Sequence, residues 1–246
     1  MKYLRKILLS ASLFGAMCVY AEDYSVARIG LGGVYSLQQP SGEKDITNAG
    51  GYLALWSRGT LANERFLVQS GGEIGFGKAK RDGVQNDIFF MGDIRISAGV
   101  NILTQNAPLY LSIGYAWDNF HSNLLGNQLT GKNNTGNSWV DNTLHLVGLD
   151  LSGVIKGQGA NLEYDIGYYY AFHGYYYLDK TRSGIDDYTY AIKARVGFSS
   201  DYSKKIGFFA NVRAKYYDIP TSKMNTTFAR PATKHFLGGV EAGIQF

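Results

Sequence analysis

The chain has 246 residues, with 24 Lys and Arg against 20 Asp and Glu, 31 Gly, 19 Tyr, 13 Phe, four Pro and one Cys. That length suits one large domain or two small ones, and a single cysteine excludes a disulfide framework. Lys2, Arg5 and Lys6 lie before residue 22 with no acid beside them; taking these three from 24 leaves 21 bases against 20 acids, a balance that argues against a nucleic-acid or polyanion binder.

The first stretch, MKYLRKILLSASLFGAMCVYAED, has a basic start, an apolar run from Ile7 to Val19 and small residues at its exit. It reads as a Sec secretory signal covering residues 1–21, cleaved after Ala21. The run of about 13 residues is short of the roughly 20 that a spanning helix needs. Met17 precedes Cys18, which argues against lipidation, and no thiol remains in residues 22–246.

From there on, period-two alternation recurs in segments of about ten residues, separated by polar, Gly- and Asn-rich breaks. Ala27, Ile29, Leu31, Gly33, Tyr35 and Leu37 alternate with Arg28 and Ser36. The next segment, GGYLALWSR, is short and mixed. Phe66, Val68, Ile74 and Phe76 oppose Gln69 and Glu73, and Ile88, Phe90, Ile94, Ile96, Ala98, Val100 and Ile102 oppose Asp87, Asp93, Arg95, Ser97 and Asn101. Leu109, Leu111, Ile113, Tyr115 and Trp117 oppose Ser112, Gly114 and Asp118. Val147, Leu149, Leu151 and Ile155 oppose Asp150 and Ser152. Leu162, Tyr164, Ile166, Tyr168, Tyr170 and Phe172 oppose Glu163, Asp165 and His173. Tyr188, Tyr190, Ile192, Ala194, Val196 and Phe198 oppose Lys193 and Arg195. Ile206, Phe208, Ala210, Val212 and Tyr216 oppose Asn211, Arg213 and Lys215. The tenth is KHFLGGVEAGIQF, whose apolar row runs from Phe236 to Phe246.

A soluble β-sandwich also alternates. Here, however, charges sit at strand middles, aromatic residues gather at strand ends, and short connections (GTLANE, TQNA, KGQGA, SDYSKK) alternate with mostly longer ones. These features predict an all-β fold, a transmembrane antiparallel up-and-down β-barrel over residues 22–246, with ten strands the best count and eight or twelve open.

With apolar faces toward lipid, the lumen receives the acids Glu73, Asp93, Asp150, Glu163, Asp165 and Glu241 and the bases Arg28, Arg95, Lys193, Arg195, Arg213 and Lys215. Six acids facing six bases imply interior salt bridges and a plugged or very tight lumen. A turn centred near residue 203 would set Lys193 beside Arg213 and Arg195 beside Asn211, a like-charge wall that requires acids from across the lumen. Glu241 is a candidate partner for that wall. The competing expectation is a narrow porin-like diffusion channel with a charged constriction.

No catalytic, cofactor or metal site is expected, and the chain reads as non-enzymatic. His121, His145, His173 and His235 are scattered without ligand spacing. His121-Ser122-Asn123 lacks a residue of the His-x-Ser-Asn pattern of outer-membrane phospholipases and opens a polar loop. A lipid- or peptide-modifying enzyme is the weakest alternative, with no nucleophile–base pair legible. GGEIGFG lies inside an alternating strand with no helix after it, so its glycines relieve crowding rather than bind phosphate. Two long loops remain for function: 119–142, with Leu124, Leu125 and Trp139, and 218–233, with Met224, Phe228, Arg230 and Pro231. Trp139 and Phe228 are the expected surface contacts for a host or envelope ligand.

The signal, the alternating segments and the terminal Phe together resemble the small single-chain outer-membrane β-barrel proteins of Gram-negative bacteria. The resemblance implies an outer-membrane location in contact with lipid, with Phe246 as the signal to the barrel assembly machinery. The usual signal also has an aromatic two residues earlier and a Gly five before the end, where this chain has Ile244 and Glu241. The resulting expectation is an envelope protein that works through its surface loops.

Overall fold

The structure is a computed structural model describing residues 24–81, 84–131, 138–185, 187–224 and 228–246; the expected signal segment 1–21 lies outside these residues. Ten long strands form the wall: β1 (Tyr24–Pro40), β2 (Ile46–Leu61), β3 (Phe66–Arg81), β4 (Val84–Asn101), β5 (Leu109–Ser122), β6 (Val140–Lys156), β7 (Ala160–Leu178), β9 (Tyr190–Ser200), β10 (Gly207–Ile219) and β13 (Thr233–Gln245). Each pairs antiparallel with its neighbours, and β13 pairs with β1 to close the ring. Closure leaves no strand edge bare, the condition for a sheet to stand in lipid.

The seam is made at the end of the chain. The N–H of Ala27 donates to the Phe246 carbonyl at 2.8 Å, and the N–H of Phe246 donates back at 2.9 Å. The Phe246 ring stays half exposed on the outside. The outer surface is continuously apolar: Leu31 is 69% exposed, Phe76 70% and Ile113 67%. Among the described residues no helix is long and apolar enough to cross a membrane; the strands supply the apolar band.

The second segment is longer than its pattern suggested, running from Ile46 to Leu61. It reads as mixed because its inner face carries aromatics, Tyr52 and Trp56, as well as polar residues. Gly32 leaves space for the Tyr52 ring, and Gly71, in GGEIGFG, lies flat beneath the Trp56 indole; a Cβ at Gly71 would fall 1.9 Å from it.

Tyr24, Phe246 and the turns 62–65, 102–108, 157–159 and 201–206 share one end of the barrel, the turn end. The expected contrast in connection length holds for three of the five connections at the other, loop end. The first two connections there, 41–45 and 82–83, are as short as the turns. The longer three carry structure of their own: α1 (Asn123–Leu129), β8 (Thr181–Gly184) and the hairpin of β11 (Ser222–Met224) and β12 (Phe228–Arg230). The loop expected from residue 119 begins later, because β5 continues to Ser122.

The register between β9 and β10 corrects the sequence estimate by two residues. Arg195 stands opposite Arg213 and Lys193 opposite Lys215, because the pairing of the two strands is centred on residue 204 rather than 203. Two like-charged pairs therefore face the lumen side by side.

Candidate functional site: the filled lumen and its loop-end cover

Alternation on each strand points one row inward, and curvature brings rows from distant strands together. Nearest the turn end, Arg28 donates to both oxygens of Glu163 at 2.7 and 2.5 Å and to Gln245 at 3.1 Å. The Ser199 hydroxyl also donates to Glu163. Arg58 packs beside them, donating to the Tyr24 hydroxyl at 3.3 Å with its guanidinium over the Tyr110 ring.

Farther in, Arg95 contacts Asp150 at 2.8 Å and Asp165 at 3.4 Å, while Arg195 reaches Asp165 at 2.9 Å. The Tyr169 hydroxyl bonds Asp150 at 2.7 Å. Lys193 donates to Asp93 at 2.9 Å and to Asp118 at 2.8 Å. Lys215 donates to Glu73 at 2.5 Å and to Asp93 at 3.0 Å, and Arg213 meets Glu73. Arg213 also lies 3.7 Å over the Tyr52 ring, and Arg195 lies 5.0 Å over Trp56. The two like-charged pairs are thus held by acids from elsewhere in the ring and by aromatic faces.

These contacts divide into neutral groups. Arg28 balances Glu163; Arg95 and Arg195 balance Asp150 and Asp165; Lys193, Lys215 and Arg213 balance Glu73, Asp93 and Asp118. Matching of this kind offsets the cost of burial, since an uncompensated ion costs several kcal/mol.

Two residues change places relative to the sequence reading. Asp118, on the polar side of its segment but left out of the expected network, is fully buried against Lys193. Glu241, the expected partner for the basic wall, is buried beside Tyr52, whose hydroxyl donates to it at 3.3 Å; its other oxygen has no hydrogen-bond partner. Tyr52, Trp56 and Tyr169 were missed entirely. Their signal was present: aromatics at positions where the alternation demands an inward side chain.

β4 and β10 are opposite each other, five steps apart in either direction around the ten-strand ring. The 3.0 Å contact between Lys215 on β10 and Asp93 on β4 therefore crosses the full width of the barrel.

Toward the loop end the filling becomes apolar. Val34, Ile46, Phe89, Met91, Phe120, Leu144, Leu146, Tyr176, Tyr217 and Leu237 form one buried cluster, joined by Leu124 and Leu125 of α1. Those two leucines were expected as exposed loop contacts; they are 1% exposed and cover the lumen instead. Ser122, considered above for catalysis, caps this helix by accepting from the Leu125 N–H at 3.3 Å, and His121 shares a 3.1 Å hydrogen bond with Asn123. Arg81 donates to Gln128 at 2.6 Å and ties the helix to β3.

Trp139 is half buried, stacked on His121 with ring centres 5.5 Å apart, and its backbone N–H donates to an Asp179 carboxylate oxygen at 3.0 Å. The side chain of Phe228 lies outside the described residues, although its backbone pairs with Met224 in the β11–β12 hairpin. That hairpin is fastened to β7 through the Tyr176 hydroxyl, which accepts from the Arg230 N–H at 2.9 Å and the Ser222 hydroxyl at 2.7 Å. Arg230 itself is buried over the Tyr176 ring, and burial lowers its guanidinium to about 10. Among the described residues no three His, Cys, Asp or Glu side chains converge as a metal site would require.

No protein-family model and no curated protein matches the chain. Solved structures do. The outer-membrane protease OmpT of Escherichia coli superimposes with a TM-score of 0.56 at 11% identity, over 91% of this chain and 96% of that one. The translocator domain of the autotransporter NalP from Neisseria meningitidis gives 0.40 at 10% identity, over 98% and 96%. Ail of Yersinia pestis gives 0.33 at 12% identity, over 91% and 99%. At 11% identity the OmpT likeness shows the fold: the chain is a closed antiparallel β-barrel with ten long strands in its wall.

Proposed function

We propose that the protein is an integral outer-membrane barrel with a sealed lumen, exported by its Sec signal, whose working surface is the loop end, where it meets a host or envelope ligand. The observation carrying this reading is the Lys215–Asp93 contact, which joins opposite walls beneath an apolar cover. Neutral ion clusters of this kind hold a barrel shut; a diffusion pore needs a continuous column of water. Planar-bilayer recording of the refolded protein tests it. No steady conductance is expected, and steady ion-selective current altered by neutralising Lys193 and Arg213 would replace it with the channel reading.

OmpT is a protease, so peptide turnover is the rival activity. Here His121 and Ser122 are engaged in holding α1 and Trp139, which supports a non-enzymatic role. Lipid or peptide hydrolysis abolished by Ser122→Ala in a still-folded barrel would overturn that. Phe246 serves as the tag for the barrel assembly machinery: its side chain makes no lumen contact and its backbone closes the seam. Phe246→Ala keeps the seam backbone, so it should slow assembly in cells while leaving the refolded barrel's heat-modifiability unchanged; normal assembly would refute the tag.

A further inference from the structure

His145 and His173 are distant in sequence, yet the β6–β7 register sets them opposite each other. Strict alternation along β7 would send His173 into the lumen, as the sequence reading had it. A bulge intervenes: pairing passes from His145↔His173 directly to Leu146↔Ala171, leaving Phe172 as the extra residue. Phe172 and His173 are consequently both exposed, and His173 emerges on the outer wall beside His145. Bulges are a recurrent means of re-aiming a side chain at a functional position.

The two imidazole rings are 5.4 Å apart between centres, tilted by 40°. Two imidazoles bound at about 2.0–2.1 Å to one tetrahedral ion have ring centres about 5.2 Å apart, so the ring separation matches that of a chelating pair. The Tyr115 hydroxyl shares a 2.8 Å hydrogen bond with His145 Nδ1. Such a partner fixes the orientation of the ring. The rings of Phe172 and Tyr175 flank the pair, on the outer wall just loopward of the lipid-facing Val147. Imidazole donors without a carboxylate suit zinc or copper rather than magnesium or calcium.

We propose that His145 and His173 chelate a divalent transition-metal ion, Zn2+ or Cu2+, on the outer wall of the barrel, with water completing the coordination and Tyr115 positioning the His145 ring. The proposal is independent of whether the lumen conducts.

The full chain, refolded in detergent and freed of metal, is titrated with Zn2+ by calorimetry and with Cu2+ by electron paramagnetic resonance. One saturable equivalent with a two-nitrogen copper signature is expected. His145→Ala and His173→Ala should each abolish it, and His121→Ala, on a different part of the rim, should not. Tyr115→Phe should keep the stoichiometry and weaken binding about 10- to 100-fold. Heat-modifiability on gels confirms that each variant is folded. Absence of saturable binding, or binding that survives His173→Ala, overturns the proposal.

Discussion

At its turn end and centre the lumen is filled by ions, with Arg28, Lys193, Arg195, Arg213 and Lys215 held by acids on other strands; at its loop end it is filled by Phe89, Met91, Phe120, Leu144, Leu146 and two leucines of α1. Both fillings pack the inside of a narrow barrel, but they fail differently. An ionic layer depends on complete pairing, since removing one partner strands another charge where water is scarce. An apolar layer depends on volume and tolerates substitution in proportion to the space left behind.

The largest expected effect comes from breaking the ionic side. Glu73→Leu strands Arg213 and one contact of Lys215, and should lower the stability of the refolded barrel by about 3–5 kcal/mol in urea titrations. A loss comparable to that of an exposed charge would mean that water already fills this layer. On the apolar side, Leu125→Ala should cost about 2–5 kcal/mol and render the 123–139 loop more sensitive to protease while leaving the wall intact. If the two variants open the same region, the layers are one cooperative unit rather than two.

Within the ionic layer, Asp118→Asn should cost about 1.5–3 kcal/mol by weakening the hold on Lys193. Glu241→Gln, which keeps the Tyr52 contact, should stay within about 1 kcal/mol. Reversal of that order would return Glu241 to the network. The smallest effect belongs to the exposed turn. Hydrogen bonds from Ser203 hold the Asp201 carboxyl below its usual value of 3.8. A depressed carboxylate contributes stability above its ordinary value and loses it as pH falls through the folded one. The small penalty of Asp201→Asn at neutral pH should therefore vanish in acid, and a penalty that persists there would assign it to the turn backbone.

Much of the wall was legible in the sequence. From Ile88 to Val100 and from Leu162 to Tyr170 the outward row reads directly, because lipid requires apolar side chains at every second position. The inner row obeys no such rule. It accepts charge, aromatic or aliphatic side chains wherever a partner exists, so GGYLALWSR looked mixed, and Phe89, Met91 and Leu146 gave no sign of belonging to a plug.

The alternation and the lipid-facing surface were properties of the sequence by itself, since each follows from local period and one uniform solvent. Which charges meet was decided only by the closed barrel. Asp118 rather than Glu241 completes the neutral cluster because Lys193 lies within reach of β5 once the ring is shut. His173 turns outward because one extra residue in β7 resets its phase. Pairing across a lumen depends on ring position, stagger and bulges, and these are properties of the assembled sheet, which no single strand contains.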